Sequence, residues 1–341
     1  MLKPNLSQNF STKVAPPTHA PLVLDVDTGR DDAWAIFGAF DEFEVAGIVS
    51  TYGNVPLTKT TRNSLDVTHL AVTHGQGISN TERNISVWSG APEPTQPATE
   101  VALAEIARRA GINGNGLCNL TLPHNPKGPA NSEKEWVPDF IDFLTAQPTP
   151  VNYVACGPLT NLANLVSALG KDEKGRHNIK KYINNVVVMG GSFCKSQAVD
   201  FNFKADPHAA QTVLSAFNNK VFLFPFDETK KLKLSLEQIE TLVAHCEPAR
   251  FSRDLMHAHA KGWSPDGNIM LHDPSTLLAF DDRTNNFIEQ NVRVLLHGKE
   301  AGRTVSDGRG YPVNRFTIPE GQENQTRNLL LRQYLNLHLT A

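Results

Sequence analysis

Cysteines and long apolar runs are both scarce in this 341-residue sequence. The first scarcity argues against a disulfide-rich protein and the second against a membrane-spanning one. Four cysteines occur, and no two of them form a C-x-x-C pair. We therefore expect reduced thiols in a cytoplasmic protein rather than a disulfide scaffold. No apolar run reaches the length of a membrane span, so we expect no membrane partner.

Charge of either sign is also limited. Lys and Arg together number 32 against 35 Asp and Glu, which gives a net charge of −3. No run of basic residues stands out, so we expect no nucleic-acid partner. The first twenty residues are polar and lack the apolar segment of a secretory signal. We predict that residues 1–20 form a flexible tail and that residues 21–341 form a single α/β domain.

What the sequence does contain is an acidic stretch near its N-terminus. Residues 21–26 form an apolar run of strand length, and Thr28-Gly29 follows as a tight turn. From Asp31 onward the apolar residues take helical spacing. The stretch therefore predicts the carboxyl end of a strand leading into a helix, which is where ligands bind in open α/β sheets.

Four carboxylates crowd this turn, namely Asp25, Asp27, Asp31 and Asp32. Their mutual repulsion is costly unless a cation, or a raised pKa on one of them, relieves it. A hard cation bound by oxygen ligands is the natural partner. Acids that complement the dipole at a helix N-terminus would explain Asp31 and Asp32 but not the other two. The pattern therefore favours a metal site.

The same stretch resembles a known family signature. Asp-x-Asp-x-Gly-x-Asp-Asp-Ala, which begins at Asp25, is similar to the N-terminal signature of the calcium-dependent nucleoside hydrolases. Thr28 stands where that family usually has Pro. Residues 25–28 (Asp-Val-Asp-Thr) also resemble the nucleophile motif of haloacid-dehalogenase-type phosphohydrolases, so later segments must decide between the two families.

Five later segments match the nucleoside hydrolase pattern in the same order. They are Gly53-Asn54, residues 156–161 (Cys-Gly-Pro-Leu-Thr-Asn), residues 189–191 (Met-Gly-Gly), residues 200–210 and residues 272–274 (His-Asp-Pro). Together with the acidic turn they are far more specific than any single motif. Apolar strands alternating with helices agree with the fold that the resemblance implies. That fold is α/β, with an open, mostly parallel, Rossmann-like sheet flanked by helices and a few extra C-terminal strands.

The resemblance implies hydrolysis of the N-glycosidic bond of ribonucleosides to ribose and free base. The calcium ligands that it implies are the carboxylates of Asp27, Asp32 and Asp273 and the main-chain carbonyl of Cys156. A thiolate would be a poor ligand for a hard cation, so the Cys side chain is secondary at this position. Asp27 is implied as the general base that takes a proton from a calcium-bound water.

The resemblance also implies a set of sugar contacts, namely Asp31, Asn54, Met189, Asp200 and Asn202. A turn residue at Asn54 and a core side chain at Met189 are the competing structural interpretations. Asp200 and Asn202 alternate with phenylalanines, so an extended segment would place both polar groups on one side. Asp200 stands where the family has Glu, which shortens the reach of the carboxylate by one methylene.

Two regions bear on the departing base. His272 faces the base in the pattern that the resemblance implies, and it is our candidate for the leaving-group acid. We predict a helix over residues 248–260, whereas the composition of residues 257–268 is loop-prone, and in that segment Trp263 would stack on a base. His257 or His259 would then be second candidates for the acid, and positions on a helix surface are an equally good interpretation of these residues.

The loop over residues 112–119 is the clearest departure from the family. Ile112 stands where many members have His, and neither Ile nor an amide can act as a general acid. Asn113 is interpreted equally well as a substrate contact or as a residue that only shapes the loop. Base preference is therefore left open by the sequence.

Two alternative functions remain to be weighed. A Mg²⁺-dependent phosphohydrolase of the haloacid dehalogenase type needs a later Lys and an acidic pair, and it leaves the later segments unexplained. A catalytically inactive nucleoside-binding protein could lose the metal acids, yet Asp27, Asp32 and Asp273 are all present. We predict a working enzyme with a ribonucleoside as its small-molecule substrate and, as in the family, a homo-oligomer (dimer or tetramer).

Overall fold

Strands and helices alternate along most of the chain in the computed structural model, which describes residues 20–75, 85–96, 104–106, 108–109, 113–131, 134–169, 179–196, 198–284 and 286–340. The strands are β1 (Leu22–Val26), β2 (Val45–Ser50), β3 (Ser86–Ser89), β4 (Val151–Ala155), β5 (Ile183–Met189), β6 (Val221–Phe224), β7 (Lys233–Ser235), β8 (Leu242–Ala244), β9 (Asn268–Met270), β10 (Phe287–Val294), β11 (Thr304–Val305), β12 (Tyr311–Phe316) and β13 (Leu337–Leu339). The α-helices are α1 (Arg30–Glu42), α2 (Leu57–His74), α3 (Trp136–Ala146), α4 (Thr160–Leu169), α5 (Ile179–Tyr182), α6 (Phe201–Ala205), α7 (Pro207–Phe217), α8 (Phe226–Thr229), α9 (Leu236–Glu240), α10 (Glu247–Gly262) and α11 (Glu323–Tyr334). Residues 104–106 and 108–109 are also helical, and 3₁₀ helices occupy Asn218–Lys220, Asp273–Phe280 and Asp282–Thr284. None of the helices in these ranges has the length and apolar character needed to cross a membrane.

The main sheet has the strand order β11-β10-β12-β6-β5-β4-β1-β2-β3 in the described part of the chain. Pairs from β3 across to β12 are parallel, whereas β10 pairs antiparallel with both β12 and β11. The chain runs outward from β1 to β3 and returns to β4 on the other side of β1. This reversal creates a crevice at the carboxyl ends of β1 and β4, where ligands bind in such sheets. The predicted fold class, a mostly parallel sheet with extra C-terminal strands, is confirmed.

Apolar residues cover both faces of the sheet. In β1, Leu22, Leu24 and Val26 belong to one apolar cluster, whereas Val23 belongs to the cluster on the other face. Helix α1 and the 3₁₀ helix Asp273–Phe280 contribute to the first cluster, and helices α4 and α7 contribute to the second. A parallel sheet that is buried on both faces needs such uninterrupted apolar strands. The polar residues that follow each strand are thereby displaced to the ligand-binding edge.

One local prediction is wrong, and a second segment is more helical than its composition indicates. Residues 201–205 form helix α6 rather than an extended segment, because the Asp200 carboxylate caps the helix by accepting a hydrogen bond from Phe203 N at 2.9 Å. Helix α10 agrees with the helix predicted over residues 248–260, and it takes in the first part of the loop-prone segment because Met256 and Ala260 keep helical spacing into the core. Nearly all of the predicted 1–20 tail lies outside the described residues, and the single domain over residues 21–341 stays a prediction.

Candidate active site

A cleft of about 580 Å³ opens at the carboxyl edge of the main sheet. Its lining includes the residues that follow β1 and β4 and the last residue of β5, so three neighbouring strands deliver side chains or carbonyls to one place. Nine of the residues predicted from the sequence line it, namely Asp27, Asp31, Asn54, Cys156, Met189, Asp200, Asn202, His272 and Asp273. Asp32, Asn113 and Trp263 are not among the lining residues.

Three carboxylates form a compact group at the floor of this cleft. Asp31, Asp32 and Asp273 each offer an oxygen, and these three oxygens lie within 4.8 Å of one another. Burial raises the pKa of Asp273 well above its usual value, and repulsion from Asp31 and Asp32 adds to the effect. Burial, followed by repulsion from Asp31, raises the pKa of Asp32 to about 7. A divalent cation would relieve both costs, so this all-oxygen group fits a metal site.

Asp27 lies beside this group. Its Oδ2 accepts a hydrogen bond from Asn54 N at 2.6 Å, and its own main-chain N donates to Asp32 Oδ1 at 3.1 Å. Burial, and then repulsion from Asp32, raises the pKa of Asp27 well above its usual value. The approach of Gly53 is so close that a Cβ there would collide with Asp27 Oδ2, which is why this position needs glycine.

Asp25 points away from the carboxylate group. Its side chain accepts hydrogen bonds from Tyr153 Oη and Asn161 Nδ2, each at 2.8 Å. Residues of a strand alternate between faces, so Asp25 faces helix α4 rather than the turn that carries Asp31 and Asp32. Burial raises the pKa of Asp25 to about 7. The prediction that Asp25 crowds against the other three carboxylates of the turn is therefore wrong. Asp273 lies beside Asp31 and Asp32 instead.

The Cys156 carbonyl stands at the edge of the cleft and is held by Asn202. Asn202 Nδ2 donates to Cys156 O at 2.6 Å and to Met189 O at 3.1 Å. Burial raises the pKa of the Cys156 thiol well above its usual value, so the thiol stays protonated. The carbonyl of Cys156, and not its thiol, is then the group with the chemistry of an oxygen donor for a hard cation. A carbonyl has two lone pairs, so its bond from Asn202 leaves one for a ligand.

Asp200 has a structural duty besides facing the cleft. Its Oδ2 accepts hydrogen bonds from Phe203 N and Gly191 N, each at 2.9 Å, which ties helix α6 to the glycines after β5. Burial raises the pKa of its carboxyl group. Because helix α6 turns at Asp200, this residue and Asn202 both reach the cleft from a capped helical turn.

His272 is a half-buried lining residue whose ring stacks on Phe226, with ring centroids 5.3 Å apart. Its Nδ1 lies 2.7 Å from Thr229 Oγ1, and this contact fixes the orientation of the ring. Burial lowers the pKa of His272, so the neutral imidazole is its favoured form in the folded chain. His272 is the N-cap of the 3₁₀ helix that begins at Asp273 and makes no side-chain capping bond, and the Asp273 side chain lines the cleft.

Three residues considered for base contacts lie elsewhere. Asn113 is buried behind the cleft, where its Nδ2 donates to Asn54 O at 2.8 Å and supports the Asn54 turn. Trp263 packs against the core cluster at the end of helix α10. His259 lies on the same helix, where burial lowers its pKa to about 4. Ile112 lies outside the described residues.

Some lining residues have no signal in the sequence. Phe226, Arg109 and Arg303 reach the cleft from segments that match no motif. The guanidinium of Arg109 lies 3.8 Å from the centroid of the Phe201 ring, and its Nη1 donates to Asn54 Oδ1 at 3.4 Å. Their roles depend on how distant segments pack, so local sequence patterns could not have indicated them.

Comparison with known proteins agrees with this geometry. The sequence profile described as inosine-uridine preferring nucleoside hydrolase matches residues 22–331. The non-specific ribonucleoside hydrolase RihC of Shigella boydii is 31% identical over 263 residues, which cover 75% of this chain and 77% of that protein. Uridine nucleosidase 1 of Arabidopsis thaliana is 30% identical over 309 residues, which cover 85% and 82% of the two chains.

A solved structure supports the fold. The purine-preferring ribonucleoside hydrolase from Gardnerella vaginalis superposes with a TM-score of 0.72 at 24% identity and covers 93% of this chain and 98% of its own. These matches support neither the phosphohydrolase alternative nor an inactive binding protein. The chain belongs to the inosine-uridine preferring nucleoside hydrolase family and is a hydrolase that acts on ribonucleosides.

Proposed function

We propose that this chain cleaves the N-glycosidic bond of ribonucleosides with Asp27 as general base beside a bound Ca²⁺. The observation that carries the proposal is the buried carboxylate group at the floor of the cleft, because its repulsion calls for a cation. We assign the metal to Asp27, Asp32, Asp273 and the carbonyl of Cys156. All four donate oxygen, which suits Ca²⁺ better than a softer ion.

A bound cation would lower the pKa of a water molecule and would bind the 2′- and 3′-hydroxyls of the sugar. Asp27 would take a proton from the attacking water as the C1′–O bond forms and the C1′–N bond breaks. Asn54 N already donates to Asp27 Oδ2, which fixes the rotation of the carboxylate. Asp27 therefore needs little reorganisation to accept the proton.

The sugar is assigned to Asp31, Asn54, Met189, Asp200 and Asn202, which all line the cleft. Asp31 belongs to the same carboxylate group as Asp32 and Asp273, which supports a role beside a hydroxyl that also faces the cation. Hydrogen bonds to the hydroxyl groups that tighten as the sugar flattens would stabilise an oxocarbenium-like transition state.

The base is assigned to His272. The stacked Phe226 and the Thr229 contact hold its ring in one orientation. Because burial favours the neutral imidazole, we propose that His272 assists departure by donating a hydrogen bond to the base. We assign no substrate contact to Trp263 or Asn113, since neither lines the cleft.

A substrate panel tests the activity. Purine, pyrimidine and modified ribonucleosides should each be scored for free ribose, with a phosphomonoester as the competing substrate. We expect ribose from at least one class of ribonucleoside and no phosphate release. Phosphate release without ribose would contradict the proposal, and the ranking within the panel would establish base preference.

Loss of the 2′-hydroxyl should be costly. We expect kcat/KM for 2′-deoxyuridine to fall by about tenfold to a hundredfold relative to uridine, because a hydrogen bond to a charged group contributes about 1.5–3 kcal/mol. Initial rates of uracil release measure the ratio. The 5′-deoxy compound is a matched control that keeps the diol, and equal rates for uridine and 2′-deoxyuridine would contradict the assigned diol contact.

Two further assignments stay predictions. The four cysteines are free thiols in the structure, which supports the predicted reducing, cytoplasmic location. We also infer a homo-oligomer, dimer or tetramer, from the family resemblance, and light scattering of the purified chain measures it.

A further inference from the structure

The wall of the cleft above the carboxylate group carries basic side chains that the proposed mechanism leaves unused. They come as three pairs from three separate segments of the chain, namely Arg108 and Arg109, Lys195 and Lys204, and Lys299 and Arg303. We call these six residues the basic wall. Glu105 and Glu300 line the cleft among them; Glu105 pairs with Arg108 at 2.7 Å and with Arg109 at 3.4 Å, and Glu300 pairs with Arg303.

Charge in the cleft is separated by depth. At the floor, Asp27, Asp32 and Asp273 are buried, with Asp27 and Asp273 exposed by only 2% and 3%, and Asp31 is half-buried. The basic wall reaches the surface, where Arg108, Lys195 and Lys299 are exposed. A ligand that spans the cleft therefore meets a cation-binding floor and a positively charged outer wall.

The convergence of two of these pairs is fixed by main-chain packing. Gly302, at φ +90°, approaches helix α6 so closely that a Cβ there would lie 2.5 Å from Lys204 N. Arg303 Nη1 also donates to Cys194 O at 2.9 Å. The turn that carries Lys299 and Arg303 is thus held against the segment that carries Lys195 and Lys204.

The pair formed by Arg108 and Arg109 is connected to the sugar end of the cleft through Arg109. Its guanidinium covers the Phe201 ring at 3.8 Å and donates to Asn54 Oδ1. Both Asn54 and the residues that flank Phe201 are assigned to the sugar. The basic wall therefore begins where the sugar ends.

A neutral ribonucleoside offers these cations only uncharged acceptors, such as its 5′-hydroxyl and the oxygens and nitrogens of its base, and no negative charge. Glu105 and Glu300 pair with the three arginines, so two carboxylates offset six cations only in part, and the positive excess of the wall costs repulsion. Phosphate is the anion that suits such a mixture, because Arg binds it through paired N–H donors and Lys binds it as a point charge. The 2′- and 3′-hydroxyls are committed to the floor, so the 5′-oxygen is the ribose position that remains for a phosphate.

We infer that ribonucleoside 5′-monophosphates are preferred substrates of this chain, with the phosphate bound by the basic wall. The inference rests on the proposed function. Water attacks C1′, the C1′–N bond breaks, and the products are ribose 5-phosphate and the free base. One proton of the water goes to Asp27, and the departing nitrogen regains a proton on release. The phosphate ester itself stays intact.

Paired substrates test the inference. Base release is measured for uridine against uridine 5′-monophosphate and for inosine against inosine 5′-monophosphate, with the calcium-loaded full chain. We expect kcat/KM to be at least about tenfold higher for one or both monophosphates, and we expect the advantage to shrink between 50 and 200 mM salt because screening weakens charge attraction.

Charge reversal separates the wall from general effects. The double variant Lys195→Glu/Lys299→Glu should lower the ratio of kcat/KM for monophosphate over nucleoside by about tenfold or more. Lys127→Glu/Lys233→Glu is the matched control, since both side chains are exposed and neither lines the cleft. The control should leave that ratio within about twofold.

Calorimetry supplies a readout that does not need turnover. Ribose 5-phosphate should bind at least about tenfold more tightly than ribose, and the charge-reversal variant should lose that difference. Nucleoside hydrolysis without any monophosphate or ribose 5-phosphate preference would overturn this inference alone. Preferred binding of ribose 5-phosphate with hydrolysis of neither substrate would uphold the phosphate site and overturn the proposed function. Absence of both binding and hydrolysis would overturn the two together.

Discussion

Replacement of Asp27 by Asn is expected to lower kcat for ribonucleoside hydrolysis by about a thousandfold, because a positioned general base typically contributes two to four orders of magnitude. The amide is nearly isosteric and its oxygen can still accept the hydrogen bond from Asn54 N. It cannot take a proton from water. Initial rates at saturating substrate measure the effect.

The matched control for this variant is Asp254→Asn. Asp254 is an exposed carboxylate on helix α10 that pairs with Arg253 on the surface, so its loss should leave kcat within about twofold. Far-ultraviolet circular dichroism and the Tm of both variants report whether the fold is kept. A folded Asp27→Asn variant with wild-type turnover would refute the assignment of Asp27 as the base.

Exhaustive chelation is expected to abolish ribose release, and added Ca²⁺ is expected to restore it. Without a cation the buried carboxylates of Asp32 and Asp273 keep their repulsion and their raised pKa values. Metal removal should therefore also lower Tm, because a ligand at 100 times its Kd stabilises the folded state by about 2.7 kcal/mol.

Asp273→Asn provides the second arm of the chelation experiment. It removes one charged oxygen donor from the group, so it should weaken Ca²⁺ binding and reduce the calcium-dependent rise in Tm. Titration with Mg²⁺ in place of Ca²⁺ tests the choice of ion, since Mg²⁺ demands stricter geometry. Full activity after chelation, with a Tm that does not respond to Ca²⁺, would contradict the metal assignment.

The sequence predicted much of the fold, because its signals are local. An apolar run, a turn and helical spacing place β1 and α1 correctly, and the same pattern recurs at β2 and α2. The order of matching segments was enough to identify the family. Boundaries were less certain, since helix α10 takes in residues that favoured a loop when read without their core contacts.

The sequence indicated most of the residues that line the cleft, but it indicated only partly where their side chains point. Asp25 and Asp27 are two residues apart, yet Asp25 is bound by Tyr153 and Asn161 while Asp27 lines the cleft. Trp263 has the right chemistry for stacking on a base, but its side chain packs into the core. Residue type shows which chemistry is available, and the surrounding packing decides where that chemistry points.

By itself, then, the sequence determined the alternation of strands and helices, the acidic turn and the family, because each depends on residues close together in the chain. Only the tertiary structure decided that Asp25 turns away from Asp31, Asp32 and Asp273, and that three basic pairs face one cleft. These groups are assembled from segments far apart in the chain. Their meeting depends on how the sheet edge and the helices pack, and no local pattern encodes that packing.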